Sequence, residues 1–417
     1  MPLFSIPLSG LTATSDALNV ISNNLANLNT VGFKDQQANF QDLFYQTLGT
    51  TGAGDPVQQG AGTEVGSIST DFGNGDLQTT GVPTDVAITG NGFFVTQNAT
   101  GATEFTRAGN FTVNAQGQLV TPEGQNVMGY AAVNGVINAG QGLTALQIGQ
   151  GQISPPVATA TMQQQTNLDA SAAVGTQYST PQTIYDSLGN SHVLTYTFTK
   201  TGTNTWGYQI TLPAADTGGA GAPTVVNQGT LTFDTNGNLI NPAANIAGIA
   251  INGLADGAAN LNLTWDVFGP NNTSLLTQLA GQSTTTTTNQ GGYASGTLQS
   301  YSIDANGVIQ GQFSNGQVQA VGQIALASFA NNQGLQLVGG NSYAPTLGSG
   351  QPVIGAPGAG GRGSLTGGAL ELSNVDISAE FTQLIVTQRG FEADARVVTT
   401  FDSVSNDTIN LQATPGN

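Results

Sequence analysis

The chain contains one histidine, His192, and it follows Asp186-Ser-Leu-Gly-Asn190 at a spacing that reads as a turn into a strand. A serine hydrolase would need this imidazole as base, with Ser187 as nucleophile and Asp186 to orient it, but neighbours this common do not specify a triad. The expectation is a surface or hairpin histidine. Two short runs, Asp234-Thr-Asn236-Gly237 and Asp304-Ala-Asn306-Gly307, place side-chain oxygens as the first half of a calcium loop does. Position twelve of such a loop should be a bidentate Glu; here it is Asn245 or Asn315. Asp and Asn also favour tight turns by bonding their own backbone, and that is the expected role. Asp71 and Asp76 could in principle act as an acid/base pair, but acids in Gly-rich loops are usually solvated. Cysteine is absent, and no Gly-rich loop ends in the Lys-Ser/Thr of a phosphate cradle. The residues therefore predict no catalytic site, no metal site and no cofactor.

What remains is a scaffold. Of the 417 residues only 7% are charged and 58 are Gly, so Thr, Asn, Gln and Ser must solvate the surface. That composition favours many short strands over a helical bundle. The net charge is −18, and the six basic residues (Lys34, Arg107, Lys200, Arg362, Arg389, Arg396) form no patch, which excludes nucleic acid and anionic membrane as partners. No apolar run reaches the ~18 residues that span a bilayer. The start, MPLFSIPLSG, lacks a basic region leading into an apolar stretch, so a cleaved signal peptide is not expected.

Helical periodicity is confined to the two ends. Leu11, Leu18 and Leu25 are seven apart, with Ile21 and Leu28 three residues after two of them, an apolar seam of period 3.5. After Asp376, a candidate N-cap, Ile377, Leu384, Phe391 and Val398 repeat the spacing, with Phe381, Ala395 and Ile409 beside them. Val397, Val404 and Leu411 widen that stripe, and Pro415 and Gly416 end it. Both segments are rich in mediocre helix formers and need partners. A coiled pair between them, within or between chains, supplies one.

Between the ends the period is two. Val193 to Thr199 and Tyr208 to Leu212 read as half-buried strands, and Phe111–Val120, Leu231–Ile240 and Tyr301–Gln310 as hairpins with Gly at the turn. Composition suggests a connector at residues 49–62 and crossings at Ser283 to Gly292 and Gln351 to Gly368. The expected organisation is mainly β: residues 1–30 with 374–417 as paired terminal helices, 31–75 as a connector, 76–150 with 290–373 as a β-rich middle domain, and 151–289 as an inserted outer β domain of barrel or sandwich type.

Several motifs go further. Ser9-Gly-Leu-Thr-Ala-Thr-Ser-Asp-Ala-Leu18, continuing through Ile21-Ser-Asn-Asn-Leu-Ala-Asn-Leu-Asn-Thr-Val-Gly-Phe-Lys34, resembles the amino-terminal signature of the bacterial flagellar rod and hook family. Asn374-Val-Asp-Ile-Ser-Ala-Glu-Phe381 with Ile385-Val-Thr-Gln-Arg-Gly-Phe-Glu-Ala393 resembles its carboxyl-terminal partner. Asp85-Val-Ala-Ile-Thr-Gly-Asn-Gly-Phe-Phe94 and Arg107-Ala-Gly-Asn-Phe111 are similar to blocks common to the family, and Phe313-Ser-Asn-Gly-Gln317 and Gly322 to Asn331 to its hook branch, which is favoured over the distal rod. The carboxyl end departs from the pattern at Phe391 and Asp394, where the family has Tyr and Asn. The resemblance carries over Asn24, Ala26, Asn27, Thr30, Gly32, Phe33, Lys34, Gln388 and Arg389 as motif residues. It implies a non-enzymatic subunit exported by the flagellar type III apparatus, forming a helical homopolymer outside the cell that passes torque as a flexible joint. Rod, hook cap and hook-filament junction proteins would be its partners. An extracellular β-rich adhesin is the alternative from another class.

Overall fold

The computed structural model describes residues 5–149 and 151–412. It has two long helices, α1 (Ser5–Ala26) and α2 (Ile377–Gln412), with strands between them. The chain folds as two units: residues 1–149, 300–311 and 319–417, and residues 150–299 with 312–318.

The first unit holds both helices and a largely antiparallel β structure. Phe93–Gln97 lies between Asn126–Val133 and Thr103–Thr106; beyond the latter follow Ser342–Ala344 and Gln336–Gly339. Phe93 and Phe94 point to opposite sides, as the pleat requires, and each centres its own cluster. Phe94 packs edge-on to Phe111 among Val127, Ile324 and Leu326, while Phe93 meets Phe72, Phe329 and Tyr343. Residues 31–75, read from composition as a connector, are largely stranded. Gln36–Asp42 pairs with Thr63–Thr70, and Gln46–Thr50 with Pro56–Gln59.

In the second unit Gln177–Tyr185, Ser191–Gly202, Thr205–Leu212, Thr224–Phe233 and Leu239–Asn241 form an antiparallel meander. Alternate residues of Ser191–Gly202 are buried, which is the period of two seen in the sequence. They pack with a second sheet centred on Thr161–Asn167, over a core that includes Trp206, Trp265, Tyr196 and Phe198. The threonine run 284–288 is part of the strand Thr284–Gln290, hydrogen-bonded to Thr161–Asn167. Its branched side chains suit a strand, although its composition looks like a linker.

The three expected hairpins form, with Gly117, Gly237 and Gly307 at φ +79°, +82° and +75° in their turns. The turn acids are occupied locally. Asp234 Oδ1 accepts from the N–H groups of Asn236 and Asn238, and Asp304 Oδ1 from those of Asn306 and Val308. His192 is a hairpin histidine, paired with Ile184 beside the turn at residues 186–190, but not a surface one. It opens the strand Ser191–Gly202 but is only 7% exposed, because loops remote in sequence close over it.

Candidate assembly site

Helix α2 begins at a formed cap, where Asp376 Oδ1 accepts from the N–H groups of Ser378 (2.8 Å) and Ala379 (3.2 Å). In α1 the hydroxyls of Ser9, Thr12, Thr14 and Ser22 bond carbonyls three or four residues back, which lets polar residues sit in a helix without loose donors. The helices pack antiparallel, since Gly10 faces Asp394, Thr14 faces Gly390, and Val20 and Ile21 share a cleft with Ala379 and Gln383. Gly10 allows the close approach: a Cβ there would lie 2.8 Å from Asp394 Oδ2. Extrapolating that register places residues beyond about 400 of α2 past the level of Ser5.

Of the expected seam, Ile21 is buried and Leu11, Leu18, Leu25, Leu28, Leu384, Phe391, Ala395 and Val398 are half-buried. Ile377 and Phe381 do not join them; they are 51% and 52% exposed. The most buried residues of α1 are on a face the heptad did not mark: Ala13, Ala17, Val20, Ile21 and Asn24. Ala13, Ala17 and Val20 turn toward the hairpin Gln36–Asp42/Thr63–Thr70, where small side chains let the helix lie close. Helix α2 also carries large apolar side chains that are 37–65% exposed: Ile377, Phe381, Ile385 and Val386 near its start, and Val397, Phe401, Val404 and Ile409 further along. The side chain of Leu411, with Pro415 and Gly416, lies outside the described residues.

The motif after α1 builds a junction, not a seam. Asn24 is fully buried, and its amide bonds the backbone of Gln36 twice, donating to the carbonyl (2.7 Å) and accepting from the N–H (3.1 Å), as a neighbouring strand would. Gly32 has φ +66°, and a Cβ there would be 2.6 Å from the carbonyl carbon of Arg107. Its N–H donates to the Glu371 carbonyl. Lys34 Nζ then reaches Glu371 Oε1 at 2.6 Å and donates to the Gly73 carbonyl, while Arg107 Nη1 lies 3.4 Å from Glu371 Oε2 with its guanidinium over the Phe93 ring. All three charged side chains are 0–1% exposed. Burial lowers the Lys34 and Arg107 pKa values, and Glu371 works against it in both. Asn374 closes the junction, accepting from the Asp35 N–H and donating to the Asp71 carbonyl. Asn27, Thr30 and Phe33 are half-buried here, with Thr30 Oγ1 donating to Asn27 Oδ1. Ala26, Gln388 and Arg389 are exposed. Glu371, the centre of the junction, was not marked by sequence reasoning. The available signal was the scarcity of cations, since a buried Lys and Arg must share an acid.

Asp35 and Glu380 line one cleft between the helices and the hairpin, each with an oxygen that is buried and unpaired. Burial raises both carboxyls above the usual range, and Asp35 raises Glu380 further. The folded chain therefore holds these protons more tightly than the unfolded chain. Their contribution is fully present below the ordinary carboxylate pKa and is lost as pH rises through the raised values. Glu380→Gln is expected to flatten the pH dependence of stability above pH 4.5 and to raise the neutral-pH midpoint, measured by thermal melts of the two chains from pH 4 to 8.

Four family models match the chain in order: flagella basal body rod protein at residues 6–34, flagellar hook protein FlgE/F/G D1 domain at 87–155, flagellar basal body protein FlaE D2 domain at 156–293, and flagellar basal body rod FlgEFG protein C-terminal at 366–411. The flagellar hook protein FlgE of Escherichia coli K12 is 36% identical over 98% of this chain and 100% of its own length. That of Treponema pallidum is 36% identical over 97% of this chain and 98% of its own. Among solved structures, Helicobacter pylori flagellar hook protein FlgE2 superposes with a TM-score of 0.50 at 19% identity, covering 69% of this chain and 98% of that one, a likeness of fold.

Proposed function

We propose, from the premise that this chain belongs to the flagellar hook protein family and is a structural subunit of the hook, that its terminal helices form the inner wall of a tube made of copies of itself. The observation that carries this reading is the set of large apolar side chains, Ile377, Phe381 and Ile385 among them, that α2 leaves exposed in the single chain. Ile377, Phe381 and Ile385, four apart on the helix, form an exposed apolar stripe of the kind that marks a protein contact, and a helical array of identical chains supplies the same partner to each copy. The subunit works mechanically: the helix layer resists twist, and the sparsely charged β units exchange weak polar contacts as the tube bends, without breaking strong ion pairs. This role needs no catalysis. Rod, cap and junction proteins would meet the tube at its ends, and type III export without a cleaved signal would deliver the chain.

Electron microscopy of the purified full chain, concentrated under polymerising salt, tests the reading. Tubes of uniform diameter are expected. A chain that stays monomeric at every concentration and salt, with α1 and α2 folded, would count against it.

A further inference from the structure

The second unit gathers its histidine with three carboxylates. His192 Nε2 lies 3.2 Å from Asp186 Oδ2 and 3.6 Å from Asp256 Oδ2, and on the other side of the ring Nδ1 lies 3.1 Å from Asp216 Oδ2. The imidazole is 7% exposed, Asp186 is fully buried, and the side chains of Asp216 and Asp256 are about a quarter exposed. Among the described residues no Lys or Arg pairs with these acids. The other polar contact inside the cluster is Asn190 Nδ2, which donates to Asp256 Oδ2 (3.0 Å) and more weakly to Asp186 Oδ2 (3.4 Å), holding the two carboxylates together. Asp186 Oδ1 is spent on the N–H groups of Leu188 and Asn190, so its Oδ2 has a fixed direction.

We propose that Asp186, His192 and Asp256 form a binding site for a divalent transition metal of the zinc class, with His192 Nε2, Asp186 Oδ2 and Asp256 Oδ2 as the ligand atoms and Asp216 behind the imidazole. The three atoms lie within 4.8 Å of one another. Two ligands at 2.0–2.1 Å from a tetrahedral zinc stand about 3.3 Å apart, and the separations from Nε2 bracket that value. A mixed imidazole and carboxylate set selects zinc, nickel or copper over magnesium or calcium, which prefer all-oxygen shells. A carboxylate near the far ring nitrogen is the usual second-shell partner of a metal-bound histidine, and Asp216 Oδ2 lies 3.1 Å from Nδ1. Nε2 and the two carboxylate oxygens converge on one point, an arrangement that a cation completes. The three loops involved, at residues 186–190, 214–218 and 254–258, would thereby be tied together at one end of the meander.

The test uses the full chain as a monomer after chelator treatment, so it is independent of polymerisation. Equilibrium dialysis against Zn2+ at pH 7.5, with Co2+ as a spectroscopic probe, should give one equivalent bound at micromolar Kd or tighter, with Co2+ absorption of tetrahedral intensity. A tenfold excess of Mg2+ should not displace it. His192→Gln and Asp256→Asn should each weaken binding at least tenfold, while Asp304→Asn, in a turn of the other unit, should leave it unchanged. If His192→Gln fails to fold, Asp256→Asn, on a partly exposed loop, keeps the test open. A wild-type chain that binds no stoichiometric Zn2+, or variants that bind it as tightly as wild type, would overturn the proposal and leave a proton as the bridge between His192 and the acids.

Discussion

Glu371→Gln is expected to lower the unfolding free energy of the first unit by about 3–5 kcal/mol, the usual effect of removing one member of a buried ion cluster. The acid accepts from Lys34 Nζ, Arg107 Nη1 and the Gly75 N–H at a point where all the charged side chains are buried. A glutamine keeps the shape but leaves two cations in a low dielectric with no counter-charge. Because Gly32 and Gly75 also bond at residue 371, the loosened site is where α1 enters the β structure. The first unit of the variant should therefore melt well below the wild type by calorimetry. Lys34→Met/Arg107→Leu/Glu371→Leu should recover much of the loss, since replacing a whole buried cluster by apolar groups is often neutral. If Glu371→Gln melts within about 1 kcal/mol of wild type, the cluster is not the anchor its geometry describes.

The second large effect concerns assembly. Ile385→Asp and Val404→Asp change side chains that are 51% and 56% exposed in the single chain, so each should leave the monomer within about 0.5 kcal/mol of wild-type stability. In a tube those side chains would be covered by a neighbour. Losing the burial of one such side chain removes about 1.5–3 kcal/mol per contact, and burying an unpaired carboxylate adds to that. Together this raises the concentration needed for assembly by at least about a hundredfold. Sedimentation across a concentration series would show it as material that stays in the supernatant while circular dichroism remains that of the wild type. Assembly at the wild-type concentration would mean that α2 meets its neighbours through some other face.

The helices were legible because heptad spacing is a local property: Leu11, Leu18 and Leu25 announce themselves within one segment. The side of α1 that packs most deeply was not, since Ala13 and Ala17 carry little hydrophobic signal and are buried by the nearness of a hairpin 20 or more residues away. The ion cluster was hidden for a similar reason. Lys34 and Glu371 are 337 positions apart, and no pattern in either neighbourhood names the other. Threonine misled in the opposite direction, because a run of polar residues resembles a linker until a partner strand is beside it, as Thr161–Asn167 is beside Thr284–Gln290. The histidine was read from its own turn alone, whereas Asp216 and Asp256, which surround it, arrive from two other loops.

Helix α2 has 36 residues and α1 has 22, a difference of 14 residues or about 21 Å of helix. The far end of α2, carrying Val404 and Ile409, thus runs on past the level of Ser5, where the described part of α1 begins. In a stack of such subunits each overhang would be sheathed by the next copy, but only at one end of the stack. The two ends of the polymer would then present different surfaces, one the far ends of α2 and the other the side chains that receive them, and growth would acquire a direction.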